Sequence, residues 1–279
     1  MTAITVIAIL AAAATIYGFV AMDSCERVKV APKGKKKKYQ VQEVPETGIL
    51  FMVIMAVALI VRYIAAAKYF GNETDMNCFI AWGDMIFKDG IGNFYSSDSF
   101  TDYPPGYMYI LYMVGAIRHV LGVAWNSTLS VMLTKTPAII ADLATAYLLF
   151  RIAGKRWTQK GAGILTAIYL FAPAVLLDGA IWGQTDAVFT FFVVLMIYLV
   201  TERKLIPSYF VFAVAVLVKP QSLIFTPVLI YGIIDQVFLD GFDWKNFWKN
   251  LGLGLAAIAM IALLMLPFGF KDALSQYTE

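Results

Sequence analysis

The stretch ILFMVIMAVALIVRYIAAAKY, running from Ile49 to Tyr69, decides the class of this chain. It is almost unbroken apolar sequence and long enough to cross a hydrocarbon core of roughly 30 Å as a helix. Eight or so blocks of this kind, each of about 17 to 23 residues, crowd the chain. Hydrophobic residues make up 60% of the 279 positions and charged residues only 15%, with a mean hydropathy of +0.72. A soluble domain carries roughly 25% charged residues. These features predict an all-α polytopic membrane protein. A transmembrane barrel would show alternating segments of about ten residues, and that pattern does not run through this sequence.

The net charge of +3 says less than its distribution. Lysines and arginines in short loops set orientation. The run Lys35 to Lys38 reads as a topology signal or an anchor to anionic headgroups, not as a nucleic-acid site. Cys25 and Cys78 form neither a metal pattern nor a disulfide framework. His119 is the single histidine, so a metal site built on imidazole is not expected, and beside Arg118 it reads as interfacial. No cofactor is implied, and metal dependence is left open.

Residues 1–22 read as a leading span, with a cleaved signal as the alternative. Residues 23–48 read as a basic cytoplasmic linker. Residues 49–279 form the core, expected to hold about seven spans. The loop from Gly71 to Asp102 then falls outside the cytoplasm, with a short amphipathic helix near Met76 to Phe87. If Pro105 to Val123 also crossed, Arg151, Lys155, Arg156 and Lys160 would all lie outside, against the charge rule. The simpler topology lays residues 106–123 in the interface, where Tyr107, Tyr109, Tyr112 and His119 suit it. Asp240 to Lys249 is then a cytoplasmic amphipathic loop. The chain stops soon after Phe268 and reads as the front part of a longer protein.

This topology gathers unusual polar residues on one face. Asp75 follows the span and could act as a general base, or simply open a helix as a cap. Asp84 lies in the same loop. In Asp102-Tyr103-Pro104-Pro105-Gly106 the two prolines fix an extended backbone, which either holds Asp102 in place or merely leads into the next helix. Lys135 and Asp142 share one helical face within an apolar span and look into a polar cavity or pair through water. Asp178, Trp182, Gln184 and Asp186 form an outer turn, and Lys219 and Gln221 another. A lysine there could neutralise phosphate, or only snorkel.

In this order, Asp75, Asp102 to Pro105, Lys135 with Ala141-Asp142-Leu143, Trp182 to Asp186 and Lys219 to Gln221 resemble the GT-C glycosyltransferases that use polyprenyl-phosphate sugars. The bacterial membrane proteins related to GPI mannosyltransferase II are the nearest match. The resemblance covers Ile49 to Phe268. It implies a GT-C-like bundle and an inverting transfer of a hexose, mannose being expected, at the outer face of the cell membrane. Asp75 would be the catalytic base. Asp84, Asp102, Tyr103, Lys135, Trp182, Gln184, Asp186, Lys219 and Gln221 would bind substrate. The partners would be membrane lipid, a polyprenyl-phosphate-linked sugar donor, and a glycan, lipid or protein acceptor.

Two other functions fit the same residues. One is a lipid-linked sugar or solute transporter coupled through Lys135 and Asp142, though inverted repeats are not evident. The other is a non-catalytic membrane subunit.

Overall fold

A computed structural model describes residues 48–95, 100–238 and 241–275. The expected leading span and basic linker lie outside these residues. The regular elements are helices: α1 (Ile49–Lys68), α2 (Glu73–Asp89), α3 (Pro105–Val120), α4 (Thr128–Ala153), α5 (Gln159–Leu170), α6 (Asp186–Thr201), α7 (Leu205–Val218), α8 (Thr226–Val237), α9 (Trp244–Met265) and α10 (Phe270–Ser275). Between α5 and α6 the chain bends by 51° and continues as a π-helix, Leu176–Trp182.

The chain is an all-α, multi-pass membrane protein. Among the described residues, three segments are long and apolar enough to cross a bilayer: Ile49–Lys68, Thr128–Ala153 and Trp244–Phe268. The bent pair of α5 and the π-helix makes a fourth when taken as one broken span. Helices α6 and α7 are apolar but shorter. Large apolar side chains such as Ile60 and Ile64 on α1, and Leu255 and Ile258 on α9, point outward. Faces of that kind demand a lipid solvent, because water would not tolerate so large an apolar patch.

Local signals set the helix ends. The side chains of Ser127, Thr158 and Asp243 accept from backbone amides of the first turns of α4, α5 and α9. The cap at Asp243 explains why α9 starts at Trp244, inside the stretch expected to be a loop to Lys249. Pro105 sits at the first position of α3, where its missing N–H costs no helical bond.

Helices α1 and α4 pack antiparallel, with Phe51 on Phe150, Arg62 on Asp142 and Tyr63 on Thr136. Helices α2 and α3 run parallel. Phe79 in the second turn of α2 meets Tyr107 in the first turn of α3, and Asp84 meets Arg118 further along. Between these contacts Gly83 and Gly115 touch backbone to backbone, since a Cβ on Gly115 would lie 2.2 Å from the Gly83 oxygen. Gly106 abuts Leu217 and Val218 at the end of α7. Tyr109 of α3 donates to the Leu264 carbonyl near the end of α9. The starts of α2 and α3 therefore lie level with the ends of α1, α7 and α9.

Candidate functional site

The site is built where α1 stops. Tyr69 closes α1, and Gly71 turns the chain with φ +103°, a conformation that favours glycine. The turn runs so close to the π-helix that a Cβ on Gly71 would lie 2.2 Å from the Trp182 oxygen. Asn72 donates its backbone N–H to that oxygen at 3.1 Å. The Asn72 side chain caps α2 by accepting from the Asp75 amide. The cap is thus Asn72, and Asp75 lies one turn in, where a carboxylate complements the helix dipole.

Asp75 Oδ2 accepts from Trp182 Nε1 at 3.0 Å and from the Gln184 side-chain amide. Tyr103 Oη donates to the other end of that amide, Gln184 Oε1, at 3.4 Å. Tyr103 is itself fixed through its carbonyl, which accepts from Tyr95 Oη at 2.7 Å. Gly183, at φ +92°, makes the tight exit from the π-helix that presents Gln184. At the mouth, Lys219 pairs with Asp186 and lies 5.6 Å over the Phe189 ring. Trp182 remains half exposed.

Asp102 stands close enough to feel Asp75 and Lys219. Burial is the main cause that raises its carboxyl above the ordinary 3.8; a backbone hydrogen bond and Lys219 oppose it, and Asp75 adds to it. Burial likewise pushes the Tyr103 hydroxyl up to about 12. The site therefore offers carboxylates, an amide, phenol and indole, and one accessible lysine. Among the described residues no group of three or more His, Cys, Asp or Glu side chains is arranged to hold a metal.

Seven of the residues singled out in the sequence meet at this end: Asp75, Asp102, Tyr103, Trp182, Gln184, Asp186 and Lys219. Asp178 lies just behind them, its carbonyl accepting from the Gly183 and Gln184 amides at 3.0 Å and its carboxyl within the fields of Asp186 and Lys219; Asp84, Gln221, Lys135 and Asp142 stand apart. Asp84 faces α3, 2.9 Å from Arg118 and 3.2 Å from His119. Gln221 is exposed on the 3-10 segment Pro220–Phe225. Lys135 is fully buried, and its ammonium donates to the carbonyls of Tyr69, Ala180 and Ile181. All three of its protons are engaged, so it has none for a phosphate. Asp142 does not pair with Lys135; it accepts from Arg62 at 3.1 Å and from Tyr169 at 3.3 Å. Arg62 is a functional residue of the fold absent from the sequence expectations, and the signal that could have found it is a charge within an apolar span.

The family model of GPI transamidase subunit PIG-U matches residues 83–277, well over half of the chain. No curated protein matches it in sequence. The family match corrects the functional expectation. The short motifs resembled GT-C glycosyltransferases, but the chain falls in the family of a transamidase subunit. Hexosyl transfer, mannose specificity, an enzymatic role for Asp75 and the polyprenyl-phosphate sugar donor are set aside on this finding.

Proposed function

The chain belongs to the PIG-U family of GPI transamidase subunits, and from that premise we propose that it is a non-catalytic membrane subunit of such a complex. The match over residues 83–277 carries this reading, because it takes in α3 to α10 and the polar loops between them. The polar end of the bundle supports it. A glycosylphosphatidylinositol is, as its name states, sugar and phosphate on a lipid. The half-exposed Trp182 offers a face for a sugar ring, and Asp75 and Gln184 beside it offer hydrogen bonds. Lys219 supplies a cation for phosphate at the same mouth.

This end faces away from the cytoplasm in the reading we favour. The basic residues Arg151, Lys155, Arg156, Arg203 and Lys204 gather at the opposite ends of α4, α6 and α7, as the positive-inside rule requires of cytoplasmic loops. Helix α3 then lies along the outer interface. It starts level with the end of α7, and the chain it feeds re-enters the bundle through α4 from the same side.

Membranes from cells lacking the chain test the reading. Transfer of a peptide acyl group to a glycolipid amine is expected to fail and to return when the chain is restored. Restoration with the double variant Trp182→Ala, Gln184→Ala is expected to leave assembly intact and weaken use of the glycolipid. Undiminished transamidation without the chain, or amide exchange by the purified chain alone, would overturn the assignment.

A further inference from the structure

At the opposite end of the bundle a cavity of about 350 Å³ opens between the start of α7, the end of α8 and the first turns of α9. Arg203, Lys204 and Lys249 bring three cations to it, Gln236 adds an amide, and Leu205 and Leu253 form apolar wall. We propose that this cavity binds the headgroup of an anionic phospholipid, with the phosphate among the three cations and an acyl chain along the Leu253 side of α9.

Three observations point to that occupant. Helix α6 ends in a Schellman turn, with Lys204 N–H bonded to the Leu199 carbonyl and Arg203 N–H to that of Val200. The left-handed position of such a turn normally carries glycine, yet here it is Arg203 at φ 57°. Arginine is held in an unfavourable backbone state, and its guanidinium has only a long, exposed contact to Asp235 at 3.6 Å. Next, Lys204 is the N-cap of α7 and provides no side-chain cap, so first-turn amides at Leu205 and Ile206, both in the cavity wall, add to its positive potential. Last, Trp244 and Trp248 stand exposed on the first turns of α9, the placement of aromatic residues at a bilayer surface. A free anion would need no apolar wall and no aromatic flank, and a lipid uses both. The inference does not depend on the transamidase role.

The test uses the full chain purified in mild detergent. Native mass spectrometry after exposure to equal phosphatidylglycerol and phosphatidylcholine is expected to show preferential retention of the anionic lipid. Thermal stability is expected to rise with phosphatidylglycerol and not with phosphatidylcholine. The triple variant Arg203→Gln, Lys204→Gln, Lys249→Gln is expected to lose retention by roughly a hundredfold, at about a fivefold contribution per cation near a membrane surface. Neutralising Arg156 and Lys160 instead should leave it unchanged. Arg203→Gly removes the backbone penalty, so this variant is expected to melt higher than the parent while retaining less lipid. Equal retention of both lipids by the unmodified chain, unchanged retention in the triple variant, or full displacement by inorganic phosphate would overturn the proposal.

Discussion

Arg62 Nε lies 3.1 Å from Asp142 Oδ2, with both side chains buried between α1 and α4. Arg62 also donates to the Leu170 carbonyl at the end of α5 at 2.9 Å, so one guanidinium ties three helices. Removing one partner leaves a charge without its counter-ion in a medium that cannot solvate it. Arg62→Met alone, or Asp142→Leu alone, is expected to destabilise by about 3–5 kcal/mol. The double variant should recover much of that loss, because two apolar side chains replace a desolvated pair. Melting curves of all three in detergent check this, and a double variant no better than the worse single would count against the pairing as its cause.

Lys135 and Lys219 look equivalent in sequence and differ in the fold. Lys135 is enclosed by the Tyr69, Ala180 and Ile181 carbonyls and joins the end of α1 to the end of the π-helix. Lys135→Met strands those acceptors, and each buried group left unsatisfied costs about 1–3 kcal/mol. Lys219 is partly exposed beside Asp186, and an accessible ion pair is worth about 0–1 kcal/mol. Thermal melts are therefore expected to fall sharply for Lys135→Met and little for Lys219→Ala. The reverse order would place the structural cation at the mouth.

Helix placement was legible because apolar runs in a chain this lipophilic leave few alternatives, and polar residues then fall at helix ends. That logic brought Asp75, Gln184 and Lys219 to one end without any knowledge of packing. Asp142 shows where it stops. Lys135 was the visible partner on the same helix, yet partner choice depends on which carbonyls and which arginine a neighbouring helix delivers. The π-helix at Leu176–Trp182 has no sequence signal of its own, and it alone aligns the Ala180 and Ile181 carbonyls with Lys135. The function is not legible in the sequence for a related reason. Acid, amide, indole and lysine at a membrane face suit any sugar- and phosphate-bearing headgroup, and they do not encode what is then done to it.

Cys78 lies one turn along α2 from Asp75 and reports on the site. Its thiol is raised above the ordinary 9.0, chiefly by burial and then by Asp102 and Asp75. Removing either negative charge should make the thiolate easier to form. In a Cys25→Ser background, the pH midpoint for maleimide reaction at Cys78 is expected to move down in Asp75→Asn, and further down in Asp102→Asn. An upward move in either would show that the carboxylates do not face the thiol as placed.

Asp102 gives this end of the bundle its own pH dependence. Its carboxyl holds a proton more tightly in the folded chain than the ordinary 3.8, with burial as the largest cause. A group of this kind favours the fold below its unfolded value and loses that contribution as pH rises through the folded value. At neutral pH the ionised Asp102 therefore opposes the fold, near Asp75 and only partly screened by water. Asp102→Asn keeps the shape and removes the charge. It is expected to melt higher than the parent at neutral pH, with the gap closing as the solution is acidified toward the ordinary carboxylate range. A lower melting temperature at neutral pH, or a gap that persists in acid, would mean that the Asp102 carboxylate makes a favourable contact stronger than its desolvation.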